Sequence, residues 1–155
     1  MVAERGGLSV EVIKAVRAPV EPSFVRSLLD RASSLPEVIA RLPEGTSSIA
    51  VRITGDRELR RLNNEYAGKD AVTDVLSFAG SGDHLGDLAI SWAMVVRQAA
   101  EYGHPALVEC GLLCVHGLLH LLGWDHTTAA ERREMARLTV SALEVSGLVM
   151  APGRL

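Results

Sequence analysis

His116-Gly117-Leu118-Leu119-His120-Leu121-Leu122-Gly123-Trp124-Asp125-His126 is the stretch around which the chain is organised. Histidines four apart on a helix share a face, with side chains about 6 Å apart, so two imidazoles can reach one cation together. The leucines between them are good helix formers, and Gly123 is a position where the backbone can take positive φ and turn back. That turn returns His126. Three imidazoles leave the fourth tetrahedral position of a zinc ion to water, the arrangement of a catalytic rather than a structural site. A lone histidine on an apolar helix is more often a hydrogen-bonded core residue, but three at this spacing across a glycine turn point to a metal. His116, His120 and His126 are therefore the candidate ligands of one ion. Coordination habit and availability favour zinc over nickel or copper, although three imidazoles alone do not select among them.

The spacing of the two helical histidines is that of the zinc peptidases, but Gly117 stands where those enzymes carry their glutamate base. Without that base, the site suits a reaction in which the metal and a separate cation share the work. Asp125 is the nearest carboxylate in sequence and a candidate to orient a histidine or take a proton.

The same eleven residues resemble the signature of the YbeY endoribonuclease family. Asn63 to Phe78 (NNEYAGKDAVTDVLSF) and Leu85-Gly86-Asp87 are similar to that family's other two blocks and occur in the same order, over residues 60–126. The resemblance implies a zinc-dependent endoribonuclease specific for single-stranded RNA, acting in 3′-end maturation of small-subunit (16S) ribosomal RNA and in ribosome quality control. It also places the zinc ligands at His116, His120 and His126. Two positions depart from the family pattern: Ala67 follows Tyr66 where the family has an arginine thought to act on the scissile phosphate, and Ala79 follows Phe78 where it has a proline. A guanidinium stabilises charge on phosphate oxygens and a methyl group does not. Arg60, Arg61 and Lys69 are the candidates to take over that duty.

A chain of 155 residues, 48% of them hydrophobic, is enough for one folded domain, 1–155, with an adequate core. The long apolar run Ala106 to Leu122 is broken by Glu109 and two histidines, so it reads as a buried helix and not a membrane span. Met1 to Gly7 lacks the apolar core of a signal peptide, and a cytoplasmic location is expected. Cys110 and Cys114 lie one helical turn apart, which rarely reaches disulfide geometry; they read as reduced, buried and turned away from the histidine face. A net charge of −3 argues against coating nucleic acid non-specifically, so RNA contact has to be local. The stretch carrying Arg52, Arg57, Arg60, Arg61 and Lys69 is the best basic surface, although interleaved acids make a solvated helix face at least as good a reading. DNA is not expected as a partner.

Leu8 to Val16 alternates as a first strand. Ser23 is placed to cap a helix from Phe24 to about Ala40, which Pro36 kinks or divides. After the loop 43–48, Ile49 to Thr54 is a second strand. A helix capped by Asp56 should bury Leu59, Leu62 and Tyr66 and stop at Gly68, with Asn63 bonded to a neighbouring loop. Thr73 to Phe78 and Leu85 to Ser91 form an antiparallel pair, and the second of these, if it lies on the sheet edge beside the metal, could accept an extended ligand. His84 is left out of the metal site. Trp92 to Tyr102 and Ala106 to Leu122 are helices, and Thr128 with Glu131 forms a capping box for a last helix to about Ser146. Two β–α crossovers followed by a hairpin predict an α+β fold: a small mixed four-stranded sheet covered by about five helices.

The leading expectation is thus a metal-dependent endoribonuclease whose partners are single-stranded, ribosomal RNA and the small ribosomal subunit with its assembly factors. A ribosome-assembly binding protein with weakened catalysis is the alternative raised by Ala67. A zinc peptidase is a third, against which Gly117 counts.

Overall fold

Strand β1 (Ser9–Lys14) turns Val10 and Val12 inward and leaves the residues between them wet, as the alternation requires. It is followed by α1 (Pro22–Ala32), α2 (Pro36–Arg41), β2 (Ser48–Thr54), α3 (Asp56–Ala67), β3 (Val75–Ala79), β4 (His84–Ser91), α4 (Trp92–Tyr102), α5 (Ala106–Leu121) and α6 (Ala129–Glu144). The computed structural model describes residues 8–155; the reading of Met1 to Gly7 falls outside them. Pro36 divides the first helical region rather than kinking it, because it sits in the opening turn of α2, where its missing N–H costs nothing. Six helices result among the described residues, instead of about five.

The strands form one mixed sheet in the order β1-β2-β4-β3. β1 and β2 are parallel, β2 and β4 are parallel, and β3 returns antiparallel to β4 through the short 80–83 connection. This is the α+β architecture expected from the sequence. The condition for an extended ligand on β4 is not met, because β4 lies between β2 and β3 with both ladders filled and the edge beside it belongs to β3.

α5 is apolar on nearly every side, and a helix of that kind has to be buried. It packs against β3, β4, α1, α4 and α6, with every residue from Val108 to Val115 buried. Gly117 permits the close approach to the sheet, since a Cβ there would lie 2.7 Å from a Leu88 methyl of β4. No single helix among the described residues is long and apolar enough to cross a membrane.

Local details differ from expectation for local reasons. Glu21, not Ser23, occupies the N-cap of α1, and Gly55, not Asp56, that of α3. Asp56 instead accepts from the Ser91 hydroxyl at 2.6 Å and the Arg97 guanidinium at 2.8 Å, tying α3 to the β4–α4 junction. Tyr66 is 66% exposed and meets Phe78 edge-on, while Asn63 takes the buried position. Its amide is satisfied there by donating to the Ala71 carbonyl at 3.0 Å, the loop contact expected of it.

Because the α5–β4 approach leaves no room for a side chain, Gly117→Ala should lower unfolding free energy by about 1 kcal/mol, an overpacking cost partly offset by helix propensity. Gly117→Glu should cost about 3 kcal/mol or more, because it also buries a carboxylate. Urea denaturation measures both, and unchanged midpoints would show the contact to be slack.

Candidate metal centre

The end of α5 sets the geometry. Gly123 takes φ 94°, its N–H donates to the His120 carbonyl at 3.0 Å, and the Trp124 N–H donates to Leu119 at 3.0 Å. These are the paired bonds of a glycine-terminated helix, and they reverse the chain. Trp124 then anchors the turn: it is 2% exposed, donates its indole N–H to Glu134 at 3.1 Å and lies under the Arg41 guanidinium at 3.7 Å. The Asp125 carboxylate accepts the His126 N–H at 2.7 Å, and Arg132 donates to the His126 carbonyl at 3.0 Å. With its backbone held at both ends, the His126 ring faces the two histidines of α5.

Ring centres are 5.1 Å apart for His120 and His126 and 6.0 Å apart for His116 and His126. Two imidazoles on one tetrahedral zinc, at Zn–N distances of about 2.0–2.1 Å, place their ring centres about 5 Å apart. The first pair has that separation and the second is wider by about 1 Å. Accordingly, among the described residues no three His, Cys, Asp or Glu side chains stand close enough together, as placed, to hold a metal ion. The donor chemistry nonetheless fits a metal. His116 Nε2 is buried without a hydrogen-bond partner, a costly state for a polar atom that a cation would relieve. Burial, reinforced by the neighbouring His126 and His120, holds the His116 pKa at about 4, so its ring is neutral and a competent ligand at neutral pH. Burial also lowers the pKa of His120.

The three rings line an open cavity of about 590 Å³ together with Asp74, Ser77 and Arg154. Edge strand β3 forms one wall. Asp74 accepts from the Val75 N–H at 2.8 Å and from Gln98 at 3.3 Å, and Ser77 donates to the Gly117 carbonyl at 3.3 Å. Behind Arg154 stands Glu109, a carboxylate with no exposure at all. It accepts Arg154 Nε at 3.0 Å, Arg154 Nη2 at 2.7 Å, Gln98 at 2.9 Å and His104 Nε2 at 2.7 Å. His104 Nδ1 in turn accepts the Ala151 N–H at 3.0 Å, which fixes the tautomer that donates to Glu109. Burial acts to raise the Glu109 pKa, but the bonds from Arg154, His104 and Gln98 outweigh it and the net shift is downward.

The other candidates from the sequence are elsewhere. Arg60 is paired with Asp70 at 2.7 Å, Arg61 with Glu65 at 3.0 Å, and Lys69 is exposed on the loop after α3; none of the three lines the cavity. Arg52 is paired with Glu58. Asp125 supports the His126 backbone and not a ring, and it too is outside the lining. His84 is bonded to Ser48 and Asp87, away from the imidazole trio. Cys110 and Cys114 are free and buried, and the hydrogen bond between them, with burial, pushes the Cys114 thiol up. Sequence reasoning missed Asp74, Glu109 and Arg154. For Glu109 a signal existed: Glu109, Leu113, His116 and His120 are spaced 4, 3 and 4, one continuous helix face. Nothing local marks Arg154.

Fold and site together define an α+β protein in which two histidines of α5 and a third from the loop after it line one open cavity. A family model described as Endoribonuclease YbeY matches residues 19–147. The Endoribonuclease YbeY of Chloroflexus aurantiacus is 42% identical over 137 residues, covering 81% of this chain and 87% of that protein. That of Roseiflexus sp. (strain RS-1) is 37% identical over 154 residues, covering 91% and 93%. A solution structure of a Thermotoga maritima protein shares the fold, with a TM-score of 0.59 at 19% identity over 94% of this chain and 99% of that one. The chain belongs to the YbeY endoribonuclease family.

Because the folded pKa of Glu109 lies below its ordinary value of 4.5, the unfolded chain takes up that proton first as the pH falls. The stabilisation is whole above about pH 4.5 and is lost below it, through the folded pKa. Thermal melts between pH 7 and pH 3 should show this decline. Glu109→Gln should reduce the acid slope while melting lower at pH 7, by about 3 kcal/mol of stability, since Arg154 loses its buried counter-ion. An unaltered slope in that variant would assign the acid sensitivity to other carboxylates.

Proposed function

We propose that the protein is a zinc-dependent endoribonuclease that cuts single-stranded RNA, acting in the cytoplasm on the 3′ end of small-subunit ribosomal RNA and in ribosome quality control, with the small subunit and its assembly factors as partners. Family membership supports the nuclease part of this reading. The observation that carries the metal is the unpartnered, buried Nε2 of His116, a residue that lines the same cavity as His120 and His126.

In this reading His116, His120 and His126 hold the zinc. When bound, zinc supplies Lewis acidity that brings the pKa of water toward neutrality and polarises a phosphoryl oxygen. The chain's own groups do the rest. Asp74 is the carboxylate among the cavity-lining residues and is aimed by the Val75 N–H and Gln98, so it is the group placed to take a proton from attacking water. Edge strand β3 lines the cavity, and an extended single strand could lie along it. Asp74 and Arg154 oppose each other in charge, and the whole chain carries −3, so attraction of a polyanion depends on the positive charge the metal brings.

Gly117 disfavours a peptidase: the glutamate base of that class would have to stand where a single Cβ already meets Leu88. Ala67, exposed at the end of α3, keeps one rival alive, a ribosome-assembly binding protein with weakened catalysis. A large gain in RNA cleavage on Ala67→Arg, with ribosome association indifferent to chelation, would select that rival.

The zinc-loaded protein should cleave single-stranded RNA while sparing duplex, and His120→Ala or chelation should reduce the rate by at least about 100-fold, the scale of losing an electrostatic catalyst. Equal cleavage by the wild type and His120→Ala would mean a contaminating nuclease and would remove this reading. Chelation should also weaken binding of a single-stranded oligoribonucleotide; affinity untouched by metal removal would contradict the charge argument.

A further inference from the structure

Arg154 lies beyond residues 19–147, the part of the chain that the family model matches, yet its guanidinium lines the cavity with His116, His120 and His126. It is held there from two sides. Nε and Nη2 make a two-pronged bond to the buried Glu109 carboxylate, and the guanidinium carbon stands 4.5 Å over the Tyr102 ring. A planar fork fixed this way loses little further freedom when it binds. Its third nitrogen, Nη1, has no protein partner among the described residues, and the side chain keeps 13% of its exposure.

We infer that Arg154 is a phosphate-binding residue of the site: Nη1 donates to a non-bridging oxygen of the RNA backbone beside the three histidines, supplying from the C-terminal segment the guanidinium that Ala67 does not supply from α3. The inference rests on the nuclease reading for its substrate. The alternatives are poorer. Arg60 and Arg61 are taken up by Asp70 and Glu65 on the exposed face of α3, and Lys69 is outside the cavity lining. Asp74 faces the same space and opposes an anion, so the contact operates with the cation in place.

The geometry makes lysine an informative replacement. A single ammonium at position 154 can satisfy Glu109, preserving the buried pair, but its three donors radiate from one nitrogen drawn against that carboxylate, so none is fixed on the ligand side as Nη1 is by the planar fork. Zinc-loaded wild type and Arg154→Lys should be compared by thermal melting, zinc content, cleavage of single-stranded RNA, and fluorescence anisotropy with a single-stranded 2′-O-methyl oligonucleotide. Arg154→Lys should melt near the wild type and hold as much zinc, while kcat/KM falls about 10- to 100-fold, the range for a lost hydrogen bond to a charged group. Oligonucleotide Kd should rise about 10-fold or more. If Arg154→Lys melts well below the wild type, the paired variant Glu109→Gln/Arg154→Gln, which leaves no buried charge uncompensated, should show the same losses with folding kept. Wild-type kcat/KM and Kd in either folded variant would overturn the inference. A wild type that cleaves no RNA, yet binds the oligonucleotide in an Arg154-dependent way, would sink the nuclease reading and leave the anion contact standing.

Discussion

The contact between α5 and β4 places everything else. A helix can come this close to a sheet only where one of its residues has no side chain, and Gly117 faces Leu88 at that point. The consequence is that the next residues along α5 cannot shift without emptying or overfilling the core. His116, on one flank of Gly117, is thereby pressed to the rim of the buried region, where its ring loses water without gaining a protein partner. An imidazole left in that state is destabilising unless something else occupies its lone pair. The glycine that removes a peptidase's base is thus the same residue that sets the depth of the histidine pair.

A second constraint acts at the other end of the turn. A third ligand supplied from a loop would be poorly placed if the loop moved, and His126 follows His120 by only six residues. Trp124 solves this by folding back into the core between Glu134 and Arg41, so the loop residue two positions before His126 is as buried as a helix residue. Asp125 and Arg132 then clamp the His126 backbone at its N–H and its carbonyl. The carboxylate read from sequence as a possible proton acceptor is better understood as part of this clamp. A side chain adjacent in sequence to a ligand commonly serves the local turn, because its first hydrogen-bonding opportunity is the neighbouring backbone.

What could be read from residues alone follows the range of the interactions involved. The histidine spacing, the Gly123 and Gly68 stops, the Thr128 cap and the Asn63 contact with its loop all depend on neighbours within about ten positions, and the structure contains each of them. The three-dimensional cavity depends on longer connections. β3 becomes its wall because β4 pairs with β2 on its other side, and that order is settled by packing across the whole sheet. The arginines of α3 looked suited to phosphate because the sequence shows Asp70 and Glu65 only as interleaved charges, whereas the fold closes each of them onto an arginine as an ion pair. Arg154 was invisible for the same reason in reverse: it reaches Glu109 across 45 positions, and no periodicity connects them.

That long connection also explains how a cation can be held beside three imidazoles at all. An arginine free to move would gain more from solvent than from a place beside a cluster of imidazoles. Glu109 prevents this because it is at the opposite end of the same helix face as the histidines, seven positions or about 10 Å before His116, too far to be a ligand and near enough to hold the guanidinium at the cavity. Its place in the first turn of α5 adds the favourable field of the helix N-terminus to the bonds it accepts, so the carboxylate stays ionised despite complete burial. His104 and Gln98 fill its remaining lone pairs, leaving no unsatisfied oxygen to draw Arg154 further in. One face of α5 therefore carries two parts of the cavity: histidines at its end, and at its beginning a buried anion that keeps the Arg154 guanidinium in place.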